Sequence, residues 1–368
     1  MMKITVEQGT LLKALAHAQS IVERRQTIPI LANVLLEAAG ESVLLKATDN
    51  ELEIAEKIPA KVEEEGAITV PAHKLYDIVR RLPDGSELSL AFSEGTNQVN
   101  IVSGRSKFAL ASIAPEGFPS MAREETPFSF ELSAEQLLNL INQTSFAVSV
   151  EETRYNLNGI FLHEKEGKLV AVATDGHRLA CAKAALPEGA KEIPGVIIPR
   201  KTIGEVSKLA GENVENLQIS LSANQIRFKM NEIELSSRLV DGTYPDYEKV
   251  IPSNNDKTLE ADAKALANVI ERVSVVSEKS KGIKLSLREN LLQVTATAVD
   301  EGSAEDELDA VYMGEELDIG FNYRYLLDIL AQIKGQNVKI TLQDGVSPVI
   351  LQDAADTSSL FVLMPMRV

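Results

Sequence analysis

The residues with most potential for chemistry lie in the string TDGHRL at positions 174–179. A carboxylate and an imidazole two residues apart, Asp175 and His177, could serve as general acid and base in a hydrolase. The related string TDNEL at positions 48–52 has no histidine. An Asp-Gly or Asp-Asn pair between two apolar runs is also typical of a turn. We therefore predict a turn at both places and keep a hydrolase centred on Asp175 and His177 as a lesser alternative.

Other signatures of catalysis or cofactor binding are missing from the sequence. It contains no phosphate-binding loop of the type GxxxxGK[ST], no GxGxxG, no GxSxG and no HExxH. The four histidines share no metal-ligand spacing, and the single cysteine, Cys181, completes no zinc site and forms no internal disulfide. We therefore predict no catalytic residue, no metal and no cofactor.

The elements that would position any site occur three times. The string ATD at 47–49 reappears at 173–175 and, less closely, as ATAVD at 296–300. This period is too long for a solenoid repeat and matches the size of a whole domain. Polar segments that carry Pro119 and Pro245 mark boundaries between the repeats. The predicted domains are 1–126, 127–253 and 254–368.

Each repeat follows the same order of elements. A short alternating strand precedes a helix with apolar residues at helical spacing, such as Leu11 with Leu15 and Leu266 with Ile270. Strands with turn residues between them follow, and a second helix and further hairpins close the repeat. Second helices are predicted to begin after Pro71, Pro199 and Asn322. The fold class is α+β, and each repeat consists of two β-α-β-β-β halves.

The charge of the chain limits the type of partner. With 37 Lys and Arg against 54 Asp and Glu, the net charge is −17, which argues against nucleic-acid binding over the whole surface. Several basic residues nevertheless fall on or beside the predicted helices. If these helices faced one way, they would form a mildly basic surface on an acidic body. For any single cation the alternative is an ordinary solvated helix face. Lacking a signal peptide or an apolar run of membrane-spanning length, the sequence predicts a cytoplasmic protein with no membrane partner.

Strings in the same order and spacing along the whole chain resemble those of the bacterial β sliding clamps, the processivity rings of replicative DNA polymerases. They are IPIL 28–31, VPAHK 70–74, SGRSKF 103–108, RYNLNG 154–159, ATDGHRL 173–179, PRK 199–201, LVDG 239–242, YPDY 244–247 and MPMR 364–367.

The resemblance implies a head-to-tail homodimer of three clamp-fold domains per subunit. These would close into a pseudo-sixfold ring around duplex DNA, with helices inside and sheets outside. Its further implied partners are the polymerase catalytic subunit, the clamp loader and other proteins that carry a clamp-binding motif. The ring would have no chemistry of its own.

The resemblance also implies three sets of site residues. Those for sequence-independent DNA contact are Arg25, His73, Lys74, Arg105, Tyr155, Arg200 and Lys201. Those for a pocket that takes a short partner peptide with Gln and Leu-Phe are Leu157, Thr174, Gly176, His177, Arg178, Leu179, Pro245, Lys249, Val250, Val346, Pro348, Val362, Leu363, Met364, Pro365 and Met366. Those for the dimer interface are Arg105, Lys107, Phe108, Leu110, Val275, Val276, Asp300, Glu301, Glu305, Asp306 and Glu307.

Two readings compete with the DNA-encircling scaffold. One is an interaction hub that forms rings without DNA, and the other is the hydrolase already described. From the residues alone, the C-terminal string 362–366 could equally be a final core strand.

Overall fold

The structure is a computed structural model, and it describes residues 2–25, 27–93, 95–298 and 302–368. Over these residues the three repeats have the predicted order of elements. Each repeat contains two β-α-β-β-β halves, called here its first half and its second half.

Repeat 1 contains two helices between antiparallel strands. Its elements are β1 (Lys3–Glu7), α1 (Gln8–Ile21), β2 (Asn33–Ala39), β3 (Ser42–Thr48), β4 (Leu52–Pro59), β5 (Lys61–Glu64), β6 (Gly66–Pro71), α2 (Ala72–Val79), β7 (Glu87–Ser93), β8 (Gln98–Ser103) and β9 (Ser106–Ala111).

Repeat 2 has the same plan without a counterpart of β5. Its elements are β10 (Phe128–Ser133), α3 (Ala134–Thr144), β11 (Gly159–Lys165), β12 (Lys168–Thr174), β13 (Arg178–Ala185), β14 (Val196–Pro199), α4 (Arg200–Ala210), β15 (Asn216–Leu221), β16 (Gln225–Met230) and β17 (Ile233–Arg238).

Repeat 3 adds a two-residue strand between its halves. Its elements are β18 (Lys257–Asp262), α5 (Ala263–Ser274), β19 (Gly282–Arg288), β20 (Leu291–Ala298), β21 (Gly302–Asp309), β22 (Val311–Tyr312), β23 (Leu317–Asn322), α6 (Tyr323–Leu330), β24 (Asn337–Leu342), β25 (Val349–Asp353) and β26 (Ser359–Leu363).

The starts of the helices confirm the local sequence signals. The second helices begin after Pro71, Pro199 and Asn322, as predicted. Asn322 caps α6 by accepting a hydrogen bond from a backbone N–H. Ser133 accepts from the backbone N–H of Gln136 at 3.1 Å and its hydroxyl donates to the Gln136 side chain at 3.2 Å, so Ser133 caps the start of α3 as this spacing indicates.

The chain divides into two compact units. The first comprises residues up to Leu137, Pro187–Ala190 and Lys201–Leu239. It contains a five-stranded sheet, in the order β5-β1-β7-β8-β9, and an eight-stranded sheet, in the order β10-β15-β16-β17-β4-β3-β2-β6. In the larger sheet, β17 of repeat 2 pairs antiparallel with β4 of repeat 1, opposing Ile233 to Glu56.

The second unit comprises Leu138–Leu186, Lys191–Arg200 and Val240–Val368. It contains a nine-stranded sheet, in the order β14-β11-β12-β13-β26-β25-β24-β18-β22, and a four-stranded sheet, in the order β21-β20-β19-β23. Here β26 of repeat 3 pairs antiparallel with β13 of repeat 2, opposing Val362 to Leu179. The same kind of join therefore forms twice, each time between the second half of one repeat and the first half of the preceding repeat.

Aliphatic side chains dominate the buried core, as expected for a chain without tryptophan. Strands with one covered face show alternation: β3 and β4 bury every second residue along most of their length. The helices bury a single stripe, as in α5, where Leu266, Val269, Ile270 and Val273 lie inside. Among the described residues, no helix is long and apolar enough to cross a membrane.

Candidate functional site

The string 174–178 forms a turn, as predicted. One carboxylate oxygen of Asp175 accepts the backbone N–H groups of His177 at 2.9 Å and Arg178 at 3.0 Å. Gly176 between them has a φ of 87°, in the left-handed region that favours glycine. The Asp175 carboxylate is thus occupied in holding the turn.

The equivalent turn in repeat 1 has the same construction. Asp49 accepts the backbone N–H groups of Glu51 at 2.9 Å and Leu52 at 2.7 Å, and Asn50 has a φ of 79°. Because this turn forms without any histidine, the aspartate has a structural role in both repeats.

His177 is exposed, and the contacts of its ring do not form an acid–base pair with Asp175. Its ring stacks on Tyr325 with centroids 6.0 Å apart, and its backbone carbonyl accepts the N–H of Met364 at 3.0 Å. No contact over the described residues joins this imidazole to the Asp175 carboxylate. The acid–base pair that the hydrolase alternative needs is therefore not formed.

Arg178 is held by several partners in this region. Its side chain is 10% exposed, and its guanidinium donates to Asp175 at 3.1 Å, Asp328 at 2.6 Å and the carbonyl of Phe146 at 2.6 Å. The same group lies over the rings of Phe146 and Tyr325, 5.1 and 4.4 Å from their centroids. Charge-assisted hydrogen bonds and ring contacts of this kind fix α6 against the start of β13.

Four of the predicted peptide-pocket residues are buried and form a floor. Leu179 opposes Val362 and Arg178 opposes Leu363 across the β13–β26 pair. Leu157, Leu179 and Val362 belong to one apolar cluster that also contains Tyr244 and Tyr247. The alternative of a final core strand for 362–366 is thus right for Val362 and Leu363, which are almost fully buried.

The predicted set also contains exposed apolar side chains, called here the rim. Val250, Val346, Met364 and Met366 are between 36% and 77% exposed, which is unusual for large apolar side chains. Gly176, His177 and Pro245 are also exposed, and Thr174 is half-buried. Flexible methionines on such a surface suit partners of varied sequence.

Two residues of the rim also line a groove, and three further predicted residues complete the set. Val346, Pro365 and Met366 line a groove of about 580 Å³ beside Lys284 and Asp318. Lys249 lies on the 3-10 turn Tyr247–Val250 and pairs with Asp246 at 3.0 Å. The half-buried Pro348 accepts a hydrogen bond from Asn255 at 3.1 Å through its carbonyl.

The floor is kept neutral by burial. Burial raises the pKa of the Cys181 thiol to about 11 and that of the Tyr247 hydroxyl to about 12. Burial also lowers the pKa of His163, whose Nε2 lies 3.1 Å from the Tyr247 hydroxyl. With no charge in the floor near pH 7, an apolar partner side chain meets no desolvated ion.

Two of the residues predicted to contact DNA also cap α1. His73 Nε2 lies 2.9 Å from the carbonyl of Val22, and Lys201 Nζ donates to the carbonyl of Ile21 at 3.0 Å. Lys201 also forms an ion pair with Asp49. Donors at the last carbonyls of a helix satisfy otherwise unpaired groups and complement the negative end of its dipole.

The other predicted DNA-contact residues are open to solvent. Arg25 and Lys74 are exposed in the first unit, and Arg105 is exposed in the turn between β8 and β9. Arg200 is exposed at the first position of α4, where the helix dipole disfavours a cation. Tyr155 is 59% exposed. The set is therefore distributed over helix ends and turns, and His73 and Lys201 meet at the end of α1.

Strand β9 is an uncovered edge in the region predicted to form the dimer interface. Its residues are exposed apart from the half-buried Leu110, and Phe108 is 37% exposed. Arg105 and Lys107 lie beside these apolar side chains. A whole edge strand that offers unpaired backbone groups and an exposed phenylalanine is typical of a surface that pairs with another chain.

Strand β21, with the end of α5, is the second uncovered edge. Val275 is 68% exposed and Val276 half-buried. Glu305 and Glu307 are exposed, and Glu305 accepts from Gln293 at 3.0 Å. Asp306 pairs with Arg272 at 2.7 Å, and this hydrogen bond lowers the Asp306 pKa. The predicted interface residues Asp300 and Glu301 lie outside the described residues.

Sequence reasoning missed several residues that build these sites. Phe146, Tyr325 and Asp328 position Arg178, and Tyr244 and Tyr247 complete the floor. The only local signal was the spacing of Tyr325 and Asp328, which places both on one face of a helix. Nothing local connects them to Arg178, because the contact depends on the β13–β26 pairing.

No cluster of three or more potential metal ligands occurs over the described ranges.

Comparisons with known proteins relate the chain to one family along its length. Family models of the N-terminal, central and C-terminal domains of the DNA polymerase III beta subunit match this chain at residues 2–122, 131–246 and 248–367, respectively. The beta sliding clamp of Caulobacter vibrioides is 44% identical over 372 residues, and that of Escherichia coli is 38% identical over 370, with both chains fully covered in each case.

Solved structures give the same relationship. The DnaN sliding clamp (DNA polymerase III subunit beta) of Bartonella birtlesii, solved bound to griselimycin, superposes with a TM-score of 0.97 at 45% identity and full coverage of both chains. A DNA polymerase sliding clamp from Pseudomonas aeruginosa, solved with a ligand, gives 0.95 at 36% identity, again with full coverage.

Proposed function

Because the chain belongs to the family of DNA polymerase III beta subunits, the beta sliding clamps, we propose that it is a homodimeric ring that encircles duplex DNA. It tethers the replicative polymerase and other proteins to the template, carries out no chemistry of its own and acts in the cytoplasm. Its domains are those at 1–126, 127–253 and 254–368.

The observation that carries this proposal is the pattern of sheet joins. The second half of repeat 2 pairs with the first half of repeat 1, and the second half of repeat 3 pairs with the first half of repeat 2. Among the described residues, the second half of repeat 1, with edge β9, and the first half of repeat 3, with edge β21, have no such join. Head-to-tail pairing of two subunits supplies the missing join twice and covers both β9 and β21.

The two internal joins have the same register, so they predict the third. Thr48 opposes Glu53 and Thr297 opposes Ser303 in their hairpins, which makes Ala55 of β4 equivalent to Glu305 of β21. Glu234 of β17, which opposes Ala55, is equivalent to Lys107 of β9. Lys107 of one subunit should therefore lie opposite Glu305 of the other, where opposite charges favour pairing.

Apolar packing at the interface can be inferred in the same way. At the internal join, Phe146 at the end of α3 packs on Phe361 of β26, with ring centroids 5.8 Å apart. The equivalent positions at the open edges are Val275 and Phe108. Their contact would cover two of the most exposed apolar side chains on these edges.

DNA contact in this proposal is electrostatic and independent of sequence. The exposed cations Arg25, Lys74, Arg105 and Arg200, with the exposed ring of Tyr155, contact the phosphate backbone. His73 and Lys201 hold the end of α1 in place and contribute mainly through position. The acidic remainder of the surface weakens binding elsewhere, so that the ring slides.

Partner proteins bind through the exposed rim above the buried floor of the second unit. A peptide leucine or phenylalanine is expected to contact Met364 and Val250, with Leu179 and Val362 beneath. The backbone and ring of His177, fixed by Met364 and Tyr325, border this surface.

The test of encirclement is retention on circular DNA. The protein is loaded onto a nicked plasmid by a matched clamp loader with ATP, and the plasmid is then cut. Retention on the circle with loss from the linear form supports the ring. Equal retention on both forms, or none with a loader known to be active, contradicts it and favours the hub that binds no DNA.

The test of the interface is Lys107→Glu, measured by sedimentation. Placing two acids opposite each other at each of two joins should shift the protein toward monomer, whereas Lys229→Glu, on an exposed position of the first unit, should not. A dimer constant unchanged by Lys107→Glu would contradict the register.

The test of the partner site is binding of a labelled peptide with Gln and Leu-Phe. Met364→Ser should weaken binding about fivefold, since partial burial of one apolar side chain contributes about 1 kcal/mol. Met313→Ser is the control because Met313 is also in the second unit and is 79% exposed. Equal weakening by both changes would show that the site lies elsewhere.

A further inference from the structure

An acid–base–acid cluster stabilises the internal join of the first unit. His17 of α1 lies between Glu56 of β4, at 2.7 Å, and Glu212, which follows α4, at 3.2 Å. His17 and Glu56 are buried, and Lys13 also reaches Glu212 at 3.1 Å. The cation thus connects a strand and a helix end that come from different repeats.

The residues equivalent to His17 and Glu56 lie at the open edge of repeat 3. Arg272 is the tenth residue of α5, as His17 is the tenth residue of α1. Asp306 is equivalent to Glu56, because each lies three residues after the residue that opposes the threonine of its hairpin, Thr297 in repeat 3 and Thr48 in repeat 1. Arg272 donates to Asp306 at 2.7 Å, yet its side chain remains 60% exposed.

The residue equivalent to Glu212 lies in the second half of repeat 1, which contains the other open edge. Glu212 is the thirteenth residue from the start of α4, and Asp84 is the thirteenth from the start of α2. Each acid directly precedes a residue with positive φ, Asn213 at 55° and Gly85 at 69°. Asp84 is exposed, and over the described residues no hydrogen bond or ion pair engages its carboxylate.

We propose that Asp84 of each subunit completes this cluster by pairing with Arg272 of the other. The inference rests on the proposed head-to-tail dimer and adds to the strand pairing an ion pair between α5 and the turn that follows α2. The neighbouring cations Arg80 and Arg81 are occupied by Asp77, at 3.6 and 3.4 Å. Of the two acids near the end of α2, Asp77 and Asp84, it is therefore Asp84 that can pair with a cation of the other subunit.

The experiment is a double-mutant cycle on the intact protein, with the dimer constant measured by sedimentation equilibrium. An exposed ion pair of this type, counted at two joins, predicts that Asp84→Asn weakens the dimer roughly threefold to thirtyfold. Arg272→Gln should weaken it as well. The double variant should be no weaker than Arg272→Gln alone, because the pair is already absent.

The cycle separates this inference from the proposed interface. Glu41→Gln, at an exposed acid in the turn between β2 and β3, is the matched control and should leave the dimer unchanged. The effect of Asp84→Asn should vanish near 1 M salt, where exposed charges are screened. The interface stands if Lys107→Glu dissociates the dimer. In that case, the Asp84–Arg272 pair is overturned if Asp84→Asn has no effect or if its effect adds to that of Arg272→Gln. If Asp84→Asn and Lys107→Glu are both without effect, both are overturned.

Discussion

Replacing His17 by Ala is expected to destabilise the first unit by breaking a buried ion pair. The side chains of His17 and Glu56 are 7% and 9% exposed, with Nδ1 and Oε2 2.7 Å apart. Removing one partner of a buried, hydrogen-bonded charge pair leaves the other charge desolvated and costs about 3 kcal/mol or more. The second carboxylate, Glu212, is 40% exposed and adds less.

The dependence on pH has a definite sign. Burial disfavours the charged imidazole, but hydrogen bonds and charges of Glu56 and Glu212 outweigh it and raise the pKa of His17 above its ordinary value. A raised pKa in the folded state means that the stabilisation is complete below the unfolded-state pKa, about 6.5, and is lost as pH rises through the folded-state value. The difference between the parent protein and His17→Ala should therefore be largest near pH 5.5 and shrink toward pH 9.

The assay is chemical unfolding followed by far-UV circular dichroism, because the chain has no tryptophan. The free energy of unfolding is compared for His17→Ala, Glu56→Gln and the double variant at several pH values. The double variant should lose less than the sum of the single losses, since His17 and Glu56 are direct partners. Additive losses, or a difference that grows with pH, would refute the account.

Three further predictions concern single residues. Cys181 should resist thiol reagents at pH 8 in the folded protein and react fully on unfolding, because burial raises its pKa to about 11; rapid labelling of the folded chain would contradict this. Gly159→Ala should destabilise the second unit by about 2 kcal/mol, since the added Cβ would lie 2.2 Å from the carbonyl oxygen of Ile198. The matched change Gly204→Ala, in α4 with no atom within 4 Å, should stabilise by about 0.5–1 kcal/mol; denaturation curves in which both changes have the same sign would refute the pair.

Local signals were sufficient for most of the elements. The capping pair Ser133 and Gln136 placed the start of α3, and Asp-Asn and Asp-Gly placed the turns at 49–50 and 175–176. These features depend on backbone preferences and contacts within four residues, which a sequence displays directly. The resemblance named residues of each proposed site, but it did not show which of their side chains are held by other residues of the chain.

Lys201 and Arg178 show where such prediction ends. In the sequence, each is a cation near the start of a helix or strand. In the structure, Lys201 is held by Asp49 and the end of α1, whereas Arg178 is held by Asp328 and two aromatic rings. Asp49 is 152 residues from Lys201 in the chain, and Asp328 is 150 residues from Arg178. Charge and spacing cannot reveal such contacts, because they exist only once the sheets have joined.

The sequence by itself determined the threefold repeat, the six β-α-β-β-β halves and the turns, because hydrophobic period and turn chemistry act over a few residues. Tertiary structure alone decided that halves of different repeats join at β17–β4 and β13–β26, and that β9 and β21 stay open. That choice depends on long-range backbone pairing between edges, which any of the repeats could offer to another. Packing and charge at the joins select among them, and neither is visible until distant residues meet.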